Sequence, residues 1–321
     1  MRRFRSPASD MPQRLIAVVG PTATGKSELS LRLAKALGGE VVNADSMQLY
    51  LGMNIGTGKL TPDGRCGVPH HLLDVWDVTE TASVSEYQRL ARAAVGDIQS
   101  RGRAAILAGG SGLYVRAVID DLVFPGTEPA LRARLEAELA TLGPGVLYGK
   151  LAAADPAAAA AILPSNGRRI VRALEVLELS GRPFSATLPA YSRARRSVQI
   201  GLAVPRPDLD RRIEVRVRQM WRDGLVEEVR GLIGTGPPGT GLRAGMTASK
   251  ALGYAQVLRV LDGEWTEAEA QEQTVRATRR FARRQESWFR RDPRVRWLDA
   301  AQPVPTDAAL AVVAEPDALN D

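Results

Sequence analysis

The eight residues Gly20-Pro21-Thr22-Ala23-Thr24-Gly25-Lys26-Ser27 match the phosphate-binding pattern G-x-x-x-x-G-K-[ST] at every fixed position. The glycines let backbone N–H groups close around phosphate oxygens, and the start of the following helix adds a favourable dipole. Lys26 supplies a point charge to the terminal phosphate, and the Ser27 hydroxyl is placed to bind Mg2+. The pattern has meaning only between a strand and a helix, and both are present. Leu15-Ile16-Ala17-Val18-Val19 is an apolar run that reads as a buried parallel strand. Leu29, Leu33 and Leu37 then recur at helical spacing until Gly38-Gly39 stops the helix. A cradle for a diphosphate follows.

The compound it holds depends on the acids nearby. Sites that hydrolyse nucleoside triphosphates or transfer their phosphoryl groups usually add a carboxylate at the end of a later apolar strand, for Mg2+ and water. The best such strand, 104–108, runs instead into Gly109-Gly110-Ser111-Gly112. The acid at a strand end is Asp45, directly after Val41-Val42-Asn43-Ala44. Its carboxylate has three readings: a magnesium ligand in a small-metabolite kinase, a general base facing an acceptor, or a cap on the next turn. The lack of a second acid argues against motor-type ATP hydrolysis.

Charge points to a polyanionic partner. The chain carries a net charge of +7, and its arginines cluster. Nine lie between Arg276 and Arg296 against Glu286 and Asp292, and seven between Arg168 and Arg196 against Glu175 and Glu178. Arginine offers phosphate a planar fork where lysine offers a point. Solvated helix faces would give the same pattern.

The elements that position these residues alternate in type. Strands at 15–19, 41–44 and 104–108 enclose helices at 27–37 and 85–99, the signature of a doubly wound α/β layer. Ligands of such sheets sit beyond the carboxyl ends of the strands, where Gly20, Asp45 and Gly109-Gly110-Ser111 all fall. From about Asp120 the sequence turns helical and Ala/Arg-rich, with helices at 131–142, 147–154, 157–163 and 168–179, before a strand at 198–204. Helices at 208–231, 248–261 and 266–291 follow. The expected organisation is a leader at 1–12, an α/β core at 13–119, a helical insertion at 120–197, the rest of the core at 198–300, and a loose tail at 301–321. Translation could begin at Met11.

Composition bounds the remainder. The 321 residues are 45% apolar and 25% charged, which excludes wholesale disorder, collagen-like sequence and a disulfide scaffold. A single cysteine, Cys66, excludes an intrachain disulfide and a Cys-rich zinc site. His70 and His71 read as structural. No apolar run approaches the roughly 20 residues of a membrane helix. The basic start, Met1-Arg2-Arg3-Phe4-Arg5, lacks the apolar stretch of a signal peptide, so a cytoplasmic protein is expected.

Several segments together resemble one family, the tRNA dimethylallyltransferases, also called tRNA isopentenyltransferases or IPP transferases, over about 15–298. The similarity rests on the cradle, on Asp45-Ser46-Met47-Gln48-Leu49-Tyr50, and on Gly52-Met53-Asn54-Ile55-Gly56-Thr57. Pro69-His70-His71-Leu72-Leu73-Asp74 and Gly109-Gly110-Ser111-Gly112-Leu113-Tyr114 add to it. So do Arg168-Arg169-Ile170-Val171-Arg172-Ala173-Leu174-Glu175-Val176, Gly253-Tyr254 and Thr278-Arg279-Arg280-Phe281-Ala282-Arg283-Arg284-Gln285.

The resemblance implies a P-loop NTPase-like core with an inserted all-helical domain that binds tRNA. It implies transfer of a dimethylallyl group from dimethylallyl diphosphate to the N6 amine of the adenine just 3′ of the anticodon, in tRNAs reading codons that begin with U. The cradle then holds a leaving diphosphate with Mg2+ bound through Ser27. Asp45 matches the family's catalytic aspartate, the base for a weakly nucleophilic amine. Thr22 matches the threonine facing the diphosphate, and Arg216 an arginine that neutralises it. A surface arginine paired to Glu214 or Glu228 is the plainer reading of Arg216. By resemblance, Asp45, Ser46, Met47, Gln48, Ser111, Arg132, Arg168, Arg169, Ile170, Val171, Arg172, Ser249, Lys250, Gly253 and Tyr254 touch the anticodon stem-loop. Arg279, Arg280, Arg283 and Arg284 supply charge for its backbone.

The likeness is to bacterial-type members, without the zinc-finger extension of eukaryotic relatives, and a monomer is expected. Two departures stand out: Leu163-Pro164-Ser165-Asn166-Gly167, where relatives often read His-Pro-Asn-Asp, and Ala255, where a basic residue is common. The alternatives are a P-loop small-molecule kinase using ATP and an RNA-binding module whose P-loop only senses nucleotide.

Overall fold

The computed structural model describes residues 14–184, 196–234, 240–301 and 304–315. Its elements run β1 (Leu15–Val19), α1 (Lys26–Leu37), β2 (Glu40–Asn43), β3 (His70–His71), α2 (Val84–Ser100), β4 (Ala105–Gly109) and α3 (Gly112–Ile119). Three helices follow, α4 (Pro129–Ala154), α5 (Pro156–Ala161) and α6 (Gly167–Ser180). The sheet resumes with β5 (Ser197–Ala203), α7 (Arg206–Arg222), α8 (Leu225–Ile233), α9 (Tyr254–Leu261), α10 (Glu267–Arg290), β6 (Val295–Asp299) and α11 (Thr306–Ala314).

The six strands are parallel, in the order β3-β2-β4-β1-β5-β6. This is the α/β doubly wound P-loop core, with both faces covered. Leu15, Ala17 and Val19 of β1 pack with residues of α2, α3 and α7–α10, such as Tyr87, Val115, Ile213 and Phe289. Ile16 and Val18 point the other way, onto Leu29 and Leu33 of α1 and Ala309 and Val313 of α11. Because neither face meets water, β1 is an unbroken apolar run. The chain divides into two compact units, Met1–Ile119 with Arg193–Asp321, and Asp120–Ser192.

The smaller unit has its own core, formed by Leu135, Leu147, Leu151, Ile170, Val171 and Leu174. Its caps are side chains: Asp155 accepts from Ala158 N–H and opens α5, and Asn166 accepts from Arg169 N–H and opens α6. Asn166 lies in the segment that departs from the family pattern, so the departure retains a helix start. α4 is broken at Gly143, whose φ is 76° before Pro144.

Some boundaries differ from the sequence expectation. The stretch 208–231 is two helices, because Gly224 adopts φ 95°. Residues 251–253 are not helical, and α9 starts at Tyr254. The strands β3 and β6 carry no run long enough to announce them. A loose tail was expected at 301–321; residues 306–314 instead form α11, which covers the sheet with Ala309 and Val313. The expected leader at 1–12 and residues 316–321 lie outside the described residues. Among the described residues, no helix is long and apolar enough to cross a membrane.

Candidate active site

The loop after β1 turns through Ala23 (φ 65°) and Gly25 (φ 92°) into α1. Thr24 Oγ1 donates to Pro21 O at 2.9 Å and Lys26 Nζ to the same oxygen at 2.6 Å, closing the loop on itself. No side chain caps α1, so its first-turn N–H groups remain for an anion. Thr22, Lys26 and Ser27 line one cavity with Asn43, Asp45, Gln48, Thr57 and Arg216.

Asp45 is held by its neighbours. Asn43 brackets it, Oδ1 accepting Asp45 N–H at 2.8 Å and Nδ2 donating to Asp45 O at 2.9 Å. Asn43 Nδ2 also reaches Leu72 O, tying this turn to the 69–74 segment. Asp45 Oδ1 accepts Met47 N–H at 3.0 Å. The capping reading of Asp45 is therefore half met: one carboxylate oxygen caps the turn, within a side chain that lines the cavity. Beside it, Ser46 N–H donates to Ser111 Oγ at 3.2 Å, bringing the β2 and β4 loops together.

Electrostatics tie the groups to one another. Desolvation brings the Lys26 ammonium down to about 8, with Asp45 pulling it up and Arg216 pressing it further down. Burial also lowers the Arg216 guanidinium, and Asp45 opposes that too. Two cations and a carboxylate share a low-dielectric cavity, where their field on a bound anion is strongest.

Arg216 is not the surface arginine of the plainer reading. Its Nη2 donates to Thr57 O at 3.1 Å, while Glu214 pairs with Arg218 and Arg279. Glu228, the other suggested partner, accepts from the N–H groups of Asn54 (3.1 Å), Ile55 (2.8 Å) and Gly56 (3.4 Å), and from Tyr254 Oη (2.5 Å). This carboxylate fixes the loop that presents Thr57 O to Arg216. Buried Lys59 helps, donating to Asp74 Oδ1 at 2.6 Å and Tyr50 O at 2.9 Å.

The missing acid after β4 has a steric cause. A Cβ on Gly109 would come within 2.2 Å of the Ala44 backbone, and one on Gly110 within 2.2 Å of the Gln285 side chain. No carboxylate fits there, so Asp45 is the cavity's acid.

The residues suggested for RNA divide sharply. Asp45, Ser46, Met47, Gln48 and Ser111 cluster half-buried at the strand ends. Arg280, Arg283 and Arg284 are exposed on α10, with no carboxylate partner among the described residues. Arg279 differs: it ties α10 to α7 through Glu214 at 3.0 Å. In the smaller unit, Arg168 and Arg169 are exposed, but Arg132 and Arg172 both pair with fully buried Glu175, at 2.7 and 2.8 Å. Ile170 and Val171 are core residues, not surface, because the apolar side of α6 packs inward. Gly253 and Tyr254 are buried as well, while Lys250 is exposed and Ser249 bonds to Gly245 O. Lys59 carried no sequence signal of its part in the site; Gln285 stood only as the end of a family-matching segment, and Glu228 only as a suggested partner of Arg216. Their partners are backbone atoms or residues distant in the chain, and spacing cannot reveal those.

Comparison with known proteins identifies the family. The family model described as IPP transferase matches residues 48–292. A tRNA dimethylallyltransferase of Thermobifida fusca is 63% identical over 306 residues, covering 94% of each chain. That of Streptomyces coelicolor is 62% identical over 94% of this chain and 96% of its own. Among solved structures, the tRNA isopentenylpyrophosphate transferase of Bacillus halodurans superposes with a TM-score of 0.68 at 40% identity, over 94% of both chains. A eukaryotic dimethylallyltransferase described as acting on tRNA gives 0.79 at 26% identity, over 93% of this chain and 78% of its own. By these matches this chain, whose P-loop, bracketed aspartate and half-buried Arg216 line one cavity, belongs to the IPP transferase family.

Proposed function

We propose that this chain transfers a dimethylallyl group from dimethylallyl diphosphate to the N6 amine of the adenine immediately 3′ of the anticodon, in tRNAs reading codons that begin with U. The convergence of Asp45, Lys26 and Arg216 on one cavity carries this reading. Family membership sets the kinase alternative aside.

The C–O bond to the diphosphate breaks while the bond from N6 to the prenyl carbon forms. Asp45 accepts the amine proton and passes it to solvent, a role typically worth 10²–10⁴-fold. Lys26, Arg216 and the first-turn N–H groups of α1 hold the charge that grows on the departing diphosphate, and Thr22 faces it from the loop. Beside this cavity a second, open hollow of about 610 Å³ shares Gly58 and Arg216 and sets Ala23, Ile55, Val215 and Met220 among Arg211, Arg212, Gln219 and Asp223. Those apolar side chains suit the branched hydrocarbon.

The residues also fit a divalent cation of the P-loop kind. No cluster of three or more His, Cys, Asp or Glu side chains exists among the described residues. Ser27 would hold Mg2+ with substrate oxygens, as is usual for that ion. When bound, Mg2+ supplies further neutralisation of the diphosphate.

The adenine must leave its stack, at a cost of a few kcal/mol that RNA contacts offset. Exposed Arg168, Arg169, Arg280, Arg283 and Arg284 are the cations for them. A cytoplasmic location and a monomeric state belong to the same reading. Incubation with unmodified tRNA and labelled dimethylallyl diphosphate, followed by nucleoside analysis, tests it. The expected product is N6-dimethylallyl adenosine next to the anticodon, and unlabelled RNA refutes it.

A further inference from the structure

Gln285 projects from α10 into the interior, only 5% exposed, and both ends of its amide are engaged. Oε1 accepts Thr22 N–H at 2.9 Å, and Nε2 donates to Gly110 O at 3.0 Å. One arm thus holds the phosphate loop. The other holds the loop whose next residue, Ser111, accepts from Ser46 beside Asp45. The two loops belong to different strands, and Gln285 bonds to both from a third element. An amide meets the requirement because it offers one acceptor and one donor from the same planar group. Gly110 leaves space for it, since any Cβ there would meet Nε2.

We infer that Gln285 is a positioning residue of the prenyl transfer: it sets the separation between the loop that binds the diphosphate and the loop that presents Asp45. This rests on the function proposed above. It goes beyond it by assigning a task to a buried side chain of the helix whose Arg283 and Arg284 are exposed. The reacting carbon rides on the diphosphate side and the amine on the Asp45 side, so the two arms govern how closely they meet. Misplacement by about 1 Å costs on the order of 10²-fold in rate.

The test compares the full-length native chain with Gln285→Glu and Gln285→Met, using an unmodified anticodon stem-loop RNA and dimethylallyl diphosphate. Glutamate retains an acceptor for Thr22 N–H but sets a carboxylate oxygen against Gly110 O. Methionine keeps the volume and loses both bonds. For Gln285→Met, kcat should fall about 10- to 100-fold and KM for the diphosphate should rise. For Gln285→Glu, kcat should fall, and the carboxylate set beside the cradle should raise KM for the diphosphate as well. KM for the RNA should change little in either. If Gln285→Met does not fold, the fall in kcat of Gln285→Glu at unchanged KM for the RNA decides alone. Variants with native kcat, or with losses that merely follow their melting temperatures, would overturn the assignment. A native chain that alkylates no RNA refutes the proposed function instead, so the two failures are distinguishable.

Discussion

The Arg216 guanidinium lies across the backbone of Gly58: a methyl group at that residue would stand 2.1 Å from Arg216 Nη2. Gly58 also adopts φ 62°, a conformation that L side chains rarely take. Gly58→Ala should therefore push Arg216 out of its bond with Thr57 O. We expect kcat to fall about 10- to 100-fold while RNA affinity stays native, measured by steady-state kinetics and filter binding. A native kcat would show that this placement of Arg216 is not needed.

Asp45→Asn keeps an acceptor for Met47 N–H and removes the proposed base. Turnover should drop by about 10²–10⁴-fold, with unchanged melting temperature and RNA affinity. Single-turnover rates with saturating RNA make the comparison. Retained turnover would take Asp45 out of the proton transfer.

On the proposed function, Lys26 should make diphosphate binding depend on pH. In the free protein its charge is lost above about 8, the value to which burial brings it. A bound diphosphate favours the charged form and so holds the proton to higher pH. Affinity for inorganic diphosphate, referred to a single ionisation state of the ligand, should be level below about pH 8 and fall about tenfold per unit above it. Calorimetric titration across that range checks this, and Lys26→Met should remove the break in the profile.

The arginines of α10 should separate into two behaviours. Replacing Arg283 and Arg284 with alanine should weaken RNA binding and flatten its log–log salt dependence by about 0.7–0.9 per lost phosphate contact. Arg279→Ala should lower the melting temperature through the lost Glu214 pair and leave the slope alone. A slope that moves only with Arg279 would reverse this division.

Away from the site, Glu40 at the start of β2 accepts from Arg101 at 2.5 Å, His71 at 2.7 Å and Arg103 at 3.0 Å. Arg101 above all holds its carboxyl down to about 2, against its own desolvation. A depressed carboxylate stabilises the fold above the ordinary glutamate range, near 4.3, and that stability is lost as pH falls toward 2. Glu40→Gln should therefore be destabilised at neutral pH by an amount that shrinks steadily in acid, read from denaturant midpoints at several pH values.

Much of this was legible before any fold was known. The β1 run, the cradle and α1 were read from local signals: apolar continuity, fixed glycines and leucine spacing. Arg216, by contrast, was marked out only by the family resemblance, since nothing local set it apart on an arginine-rich helix, and Tyr254 looked like a surface contact although it lies buried against Glu228. The tail looked loose because α11 is short and rich in alanine; it becomes a helix where the sheet offers it an apolar face.

The segment proposed to bind phosphate was legible in the chain itself, because a P-loop is a contiguous segment whose N–H groups converge through its own backbone angles. The distances between Asp45, Arg216, Glu228 and Gln285 were decided only when the sheet assembled, because each side chain comes from a different element. Their partners are carbonyls and amides that every residue possesses, so the letters could not mark which would meet.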